Sequence, residues 1–172
     1  MAGASREAVN DFVFLRGRQN ETFVKELCVA SATAGETFQF KSPYMMADHG
    51  SSEKGINWAD GHIEYKVLRT VSTEAVAGFV HFFAHGVSKV TFLSTLMGRP
   101  IHNREDVGYL TPNAFNRKHR CTVPCHKFRK YACATKTAHS LYDWLMHYLQ
   151  TKDYVRCPCD MTLHYATFIA AL

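Results

Sequence analysis

The chain has 172 residues, an apolar share of 47%, a charged share of 20% and a formal net charge of +5. This composition excludes a disordered chain, and the length suits one compact domain that buries its own core. No apolar run reaches the roughly 18 residues of a membrane span, and the N-terminal stretch M-A-G-A-S-R-E-A-V-N lacks the apolar core of a secretion signal. We therefore expect one intracellular domain over residues 1–172, cytoplasmic or nuclear, with no membrane partner.

The N-terminal part of the chain predicts three strands. Residues 11–17 alternate between apolar and polar side chains, residues 22–30 are rich in Val and Phe, and residues 36–41 form a third short run of the same kind. Their short connections indicate an antiparallel meander. Ser42-Pro43 ends the meander, and a polar, glycine-containing loop follows to about Asp60.

Beyond this loop, apolar residues at helical spacing alternate with short apolar runs. The predicted elements are a helix over 62–72, a strand over 78–84, a helix over 87–97 closed by Gly98, a strand over 106–110 and a helix over 130–150. The strand at 78–84 is apolar enough to be covered on both faces. This order predicts a mixed five-stranded sheet flanked by helices, an α/β fold. The pattern assigns no structure to the tail at 151–172.

Three of the six cysteines fall in one stretch, R-C-T-V-P-C-H-K-F-R-K-Y-A-C at residues 120–133. In a reducing compartment, cysteines occur as thiols or metal ligands rather than as disulfides. Three interpretations are open at this point: a zinc site, inert buried thiols, or a redox pair. The first has the support that thiolate and imidazole, the side chains present here, are the ligands that zinc prefers.

The same part of the chain is strongly basic, because no acidic residue lies between Asp106 and Asp143. Its cations are Arg117, Lys118, Arg120, Lys127, Arg129, Lys130 and Lys136. Aromatic side chains are interleaved with them, at Phe115, Phe128 and Tyr131. Cations that follow phosphates and rings that stack on bases are typical of proteins that bind single-stranded or structured RNA. The alternatives are a solvated basic face and aromatic rings that pack on the core.

The element order resembles the RNase H-like fold of the DEDD exonucleases. Three stretches carry the resemblance: F-V-K-E-L-C-V-A at 23–30, K-G-I-N-W at 54–58 and F-F-A-H-G-V-S-K-V-T-F-L at 82–93. They are similar to the second strand, to the H-G-I loop and to the strand-to-helix segment of those enzymes.

The resemblance implies catalytic acids at four places, and this chain carries none of them there. The acids are expected near Leu15 and Gly17 on the first strand, near Lys89 and near Thr137. Such enzymes use about four carboxylates to hold two divalent cations at the scissile phosphate. We therefore expect no two-metal exonuclease chemistry.

One branch of this superfamily, the Maelstrom domain, is similar in a further respect, because it has exchanged these acids for a Glu-Cys-His-Cys constellation. Mapped onto this chain, the resemblance implies a Zn²⁺ site formed by Glu26, Cys121, His126 and Cys133. Cys125 directly precedes His126, so either Cys121 or Cys125 is the ligand. The resemblance also implies binding and weak cleavage of single-stranded RNA in small-RNA silencing.

Several of these residues have simpler interpretations. Glu26 could point to solvent or meet a basic side chain, and Cys28 is either an alternative ligand or, more simply, part of the core. His81 and His85 are expected to be satisfied core histidines rather than catalytic groups.

Three functional hypotheses follow from these observations. The first is a zinc-stabilised RNA-binding pseudonuclease that is not an enzyme, and the second is a single-stranded RNA nuclease with a non-standard site. The third is a scaffold that binds a silencing-pathway protein.

Overall fold

The computed structural model describes residues 7–32, 35–45, 56–107 and 133–154. The strands are β1 (Glu7–Arg16), β2 (Thr22–Ala30), β3 (Gly35–Gln39), β4 (His81–Ala84) and β5 (His102–Asn103). The helices are α1 (Leu68–Ala75), α2 (Val87–Met97) and α3 (Ala134–Tyr154), with short 3-10 helices at Tyr65–Val67 and Arg104–Val107. None of the helices in these ranges is long and apolar enough to cross a membrane.

The strands form one mixed sheet in the order β3-β2-β1-β4-β5. The first three strands pair antiparallel, whereas β4 pairs parallel with both β1 and β5. This is the predicted RNase H-like α/β arrangement. Parallel strands end at the same edge, so the carboxyl ends of β1, β4 and β5 define one side of the sheet where functional groups commonly gather in α/β folds.

Apolar side chains of the sheet form a separate core on each face. On β1, Ala8 and Phe12 pack with α1 and α2, whereas Val9 and Val13 pack with α3. The short strand β4 contributes Phe82 to the first core and Phe83 to the second, which confirms that this strand is covered on both faces. The sheet is therefore a central layer between two helical layers.

A bulge in β2 gives one charged residue a structural role. The register between β1 and β2 shifts at Val13/Phe14, and Lys25 is the extra residue on β2. Its buried ammonium donates hydrogen bonds to Ser42 Oγ at 2.9 Å, to the Trp58 carbonyl at 3.0 Å and to the Asp60 carbonyl at 2.5 Å. These bonds tie both described ends of the loop after β3 to the sheet.

Two of the predicted elements have the predicted bounds. β2 covers 22–30 and α2 covers 87–97, and Gly98 follows α2 with the left-handed φ of 65° that favours glycine at a helix end. The first predicted helix, over 62–72, is in fact a 3-10 turn followed by α1.

Other bounds were wrong. β1 begins four residues before the predicted start, because its buried polar residues Glu7, Asn10 and Asp11 break the expected alternation. The strand predicted at 106–110 is incorrect over its described part: the strand is β5, and Asp106 lies in the 3-10 helix that follows it. The described part of the last helix starts at Ala134 rather than at 130. Residues 108–110, 130–132 and the predicted tail beyond Tyr154 lie outside the described residues.

Candidate functional site

Glu26 connects the centre of the sheet to the start of α3. It is fully buried on β2, and its Oε1 accepts hydrogen bonds from the backbone N–H of Ala134 at 2.8 Å and of Thr135 at 3.4 Å. These are among the N–H groups that a helix cannot satisfy internally, and a carboxylate at this end also interacts favourably with the helix dipole. The interpretation of Glu26 as a solvent-facing residue is therefore wrong.

Cys133 lies beside this carboxylate, immediately before α3. Its buried Sγ accepts a hydrogen bond from Lys136 N at 3.3 Å, and its carbonyl accepts one from Thr137 N at 3.0 Å. The thiol therefore stands at the helix cap. Glu26 thus binds the amide of Ala134, the residue that follows Cys133, although Glu26 and Cys133 are 107 positions apart in the chain.

The chemistry of this pair suits zinc. Oε1 of Glu26 accepts from the helix, its Oε2 accepts from the Gln39 amide at 3.5 Å, and carboxylate oxygen and thiolate sulfur are both zinc ligands. In the described part of the chain no group of three or more His, Cys, Asp or Glu side chains is placed to hold a metal. A zinc site here would need ligands from the segment before α3.

The remaining predicted ligands and the basic residues fall in that segment. Cys121, Cys125 and His126 lie outside the described residues, as do Arg117, Lys118, Arg120, Lys127, Arg129 and Lys130. Their assignment stays a prediction.

Cys28 belongs to the core. It packs on the α3 side of the sheet with Val9, Val13 and Ala138, as the simpler interpretation expected. Burial raises the pKa of its thiol to about 12, opposed by a hydrogen bond with Thr37. The apolar surroundings of Cys28 support its role as a core thiol.

A second polar cluster lies at the carboxyl edge of β4, and sequence analysis missed its central residue. Asp11 on β1 lies two residues beyond Val9, which forms the last β1–β4 pair with Phe83. Its buried carboxylate forms a close ion pair with Lys89 Nζ from the first turn of α2. The Lys89 ammonium also lies 5.4 Å from the centroid of the Phe12 ring.

The two partners of this ion pair differ in their exposure to water. The Asp11 side chain is 3% exposed and the Lys89 side chain 29% exposed. Burial raises the pKa of Asp11 above its ordinary value, and the Lys89 ammonium opposes that rise. A buried carboxylate needs a compensating cation, and here the protein supplies one itself.

This finding corrects the expected position of the carboxylates. The acidic residues of β1 are Glu7 and Asp11, and Asp11 lies four residues before the buried, apolar Leu15 and six before Gly17 in the β1–β2 turn. Lys89 indeed carries the charge opposite to that of a metal ligand, and it faces Asp11. The sequence signal that could have located Asp11 is an acid directly before the apolar run Phe12–Leu15 of a central strand.

His85, directly after β4, faces a carboxylate at the same edge. Its Nδ1 lies 3.8 Å from Glu105 Oε1, with side-chain exposures of 30% and 46%. Asn103 orients this carboxylate, because its Nδ2 donates to Glu105 Oε2 at 3.1 Å and its Oδ1 accepts from Glu105 N at 3.2 Å. His85 is therefore not the core histidine that was expected, and neither is His81, which is only partly buried at the start of β4.

No protein-family model, curated protein or solved structure matches this chain. The arrangement of its sheet is therefore the observation that defines its fold class.

Proposed function

We propose that this chain is an RNA-binding domain, an RNase H-like pseudonuclease whose basic segment before α3 is held to the sheet by zinc. The observation that carries the proposal is that Glu26 and Cys133 both accept hydrogen bonds from the first amides of α3, directly after the basic segment in the sequence. A metal bound at this point would order the segment that carries the cations and aromatic rings.

The proposed ligands are Glu26 through Oε2, Cys133, His126 and either Cys121 or Cys125. Zinc bound to them would supply folding free energy rather than chemistry, because four protein ligands leave no open position for substrate. Glu26 would then bind both the start of α3 and the metal.

RNA is the proposed partner because of the residues around this site. Six cations follow one another between Arg117 and Lys130 with rings interleaved, and no acid offsets them. The ion pair between Asp11 and Lys89 supports a binding role over two-metal cleavage, since the carboxylate at the carboxyl edge is already compensated by an internal cation. The resemblance to the Maelstrom domain points in the same direction, towards small-RNA silencing.

The zinc part is tested by elemental analysis of the purified protein and of Cys133→Ser, with Cys28→Ser as the matched control. We expect one zinc per native chain and per Cys28→Ser chain, and none in Cys133→Ser. A native protein without zinc, or a Cys133→Ser protein that keeps it, contradicts the proposed site.

The RNA part is tested by fluorescence anisotropy with a labelled single-stranded oligouridine at several salt concentrations. Affinity should fall as salt rises, because phosphate contacts release counterions. The double variant Lys127→Glu/Arg129→Glu should lose binding, whereas Lys66→Glu/Arg69→Glu, the same charge change on exposed residues around the start of α1, should retain it. Binding that is absent, or insensitive to salt, would favour the third hypothesis, a scaffold for a silencing-pathway protein.

A second candidate function has one observation in its favour, the His85–Glu105 pair beside Lys89. In a metal-independent ribonuclease, His85 would take the proton of the ribose 2′-hydroxyl while the 2′-oxygen bonds to phosphorus. The P–O5′ bond would break as the 5′-oxygen takes a proton from the imidazolium, which leaves a 2′,3′-cyclic phosphate. Lys89 would offset the charge that develops on the phosphate.

EDTA separates this candidate from the first. Cleavage of the same oligouridine in EDTA by the native protein, lost in His85→Gln and kept in His62→Gln, would establish it. His62 is an exposed histidine outside this cluster and is therefore a matched control. Equal background cleavage by all three proteins would contradict the ribonuclease candidate and leave the RNA-binding proposal unaffected.

A further inference from the structure

The turn between β1 and β2 is built around two exposed arginines and an aromatic ring. Arg16 and Arg18 flank the turn, and their guanidinium groups lie over rings: Arg16 is 5.0 Å from the centroid of Phe14, and Arg18 is 5.9 Å from that of Tyr44. Met45, next to Tyr44, is 82% exposed. Planar cations and half-exposed rings are the groups on which unpaired bases stack.

The turn is held in one conformation by its own hydrogen bonds. Gly17 N donates to the Glu21 carbonyl at 2.9 Å, and Asn20 adopts a left-handed φ of 62°. Arg16 Nη1 donates to the Asn20 carbonyl at 3.0 Å and to Thr22 Oγ1 at 2.7 Å. A surface fixed in advance loses little conformational entropy when it binds a ligand.

The acid nearest to the arginines is engaged within the turn. Glu21 accepts hydrogen bonds from the Tyr44 hydroxyl at 2.8 Å and from Gln19 N at 2.6 Å, and Arg18 N donates to the same hydroxyl at 3.0 Å. Backbone hydrogen bonding and the Tyr44 hydroxyl lower the pKa of Glu21. The Glu21 carboxylate therefore binds the Tyr44 hydroxyl and the turn backbone, whereas the two guanidinium groups lie over aromatic rings.

The position of the turn relative to α3 is informative. Val13 pairs with Glu26, which holds the first amides of α3, and Arg16 lies three residues further along β1. At the rise of a strand, three residues cover about 10 Å. Along the sheet, the turn therefore lies about 10 Å from the strand position that binds the start of α3.

We propose that the β1–β2 turn is a second RNA-contacting surface, in which Arg18 and Tyr44 stack on bases of the strand that the basic segment holds. The inference rests on the proposed RNA binding and adds a site on a different element.

The test compares three single variants with the native protein by anisotropy, using the labelled oligouridine. Arg18→Glu should weaken binding about tenfold and lower the salt slope by about 0.7, the value for one lost contact to a single strand. Arg18→Lys should keep the salt slope but lose affinity, because lysine keeps the charge and loses the planar stacking face. Arg69→Glu on α1 makes the same charge change elsewhere and should bind as the native protein does.

The outcomes separate this inference from the proposed function. If the native protein binds and Lys127→Glu/Arg129→Glu does not, while Arg18→Glu and Arg69→Glu behave alike, the turn is not an RNA surface and the proposed function stands. If the native protein shows no salt-dependent binding, both fail. Circular dichroism of Arg18→Glu identifies a folding defect, and in that case Arg18→Lys decides alone: an affinity equal to the native value overturns the inference.

Discussion

At the scale of single residues, the ion pair between Asp11 and Lys89 is the feature with the largest energetic consequence. One partner is almost completely buried and the other reaches water. Breaking a buried pair is costly because it leaves an uncompensated charge, whereas replacing both partners by neutral groups can cost little. The two partners should therefore respond differently to substitution.

We expect Lys89→Met to lower the free energy of unfolding by roughly 3 kcal/mol near neutral pH, since it leaves the Asp11 carboxylate buried without its cation. Asp11→Asn should cost less, because the Lys89 ammonium can turn to solvent. The double variant Asp11→Asn/Lys89→Met should recover most of the loss. Urea denaturation of the four proteins measures the cycle, and a double variant as unstable as Lys89→Met would contradict this account.

The pH dependence of Lys89→Met follows from the direction of the Asp11 pKa. Burial already raises that pKa, and removal of the ammonium removes the opposing effect. A carboxyl whose pKa is higher in the folded state contributes stability below its ordinary pKa and loses this contribution as pH rises through the raised value. The deficit of Lys89→Met should therefore be present at neutral pH and shrink as the solution becomes acidic.

At the scale of elements, the helix α3 depends on a side chain from a strand. Glu26 holds the amides of Ala134 and Thr135, so the start of the helix is defined by a contact across 108 positions of the chain. Local signals place a helix here but cannot indicate this contact.

Substitutions of Glu26 should separate its two proposed roles. Glu26→Ala leaves the buried Ala134 N–H without its acceptor and should cost roughly 1–3 kcal/mol of stability. Glu26→Gln keeps an oxygen acceptor, so the loss should be smaller, whereas the zinc content should fall because a neutral amide is a weak zinc ligand. Hydrogen exchange at Ala134 and Thr135 measures the first effect and elemental analysis the second; equal exchange in both variants would argue against the helix contact.

The elements also indicate how far sequence reasoning reaches. β2 and α2 were predicted to the residue because β2 is rich in Val and Phe, α2 has apolar residues at helical spacing and Gly98 marks the end of α2. The start of β1 was missed because Glu7 and Asn10 are polar residues that the fold buries, which no local pattern indicates. β5 was missed because two residues are too few for any periodic pattern.

Some residues of the candidate site could be named from the sequence and others could not. Glu26 and Cys133 were named from the resemblance and both bind amides at the start of α3, whereas Asp11 and Glu105 were not named. The pairing of Asp11 with Lys89 depends on the parallel pairing of β1 with β4, the strand that precedes α2, and no local pattern contains this tertiary relation.

At the scale of the whole molecule, the sheet is paired and covered on both faces around β2, so its centre should open only when the domain unfolds. Cys28 and Cys133 report on this, because both thiols are buried but only Cys28 lies on a central strand. We expect the rate at which N-ethylmaleimide labels Cys28 in low urea to give an opening free energy equal to that of global unfolding. Cys133 should react sooner, through local opening of the first turn of α3, as peptide mass spectrometry would show. Equal rates for the two thiols would indicate that α3 and the sheet open as one unit.

The buried carboxylate on β2 has a thermodynamic consequence for any ligand of the neighbouring basic stretch. A ligand that orders the chain just before α3 should also stabilise the docking of α3 on the sheet. By linkage, a well-docked α3 should in turn increase the affinity for that ligand. The melting temperature of the protein should therefore rise with the fraction of protein that has bound ligand, so that thermal denaturation can screen for ligands.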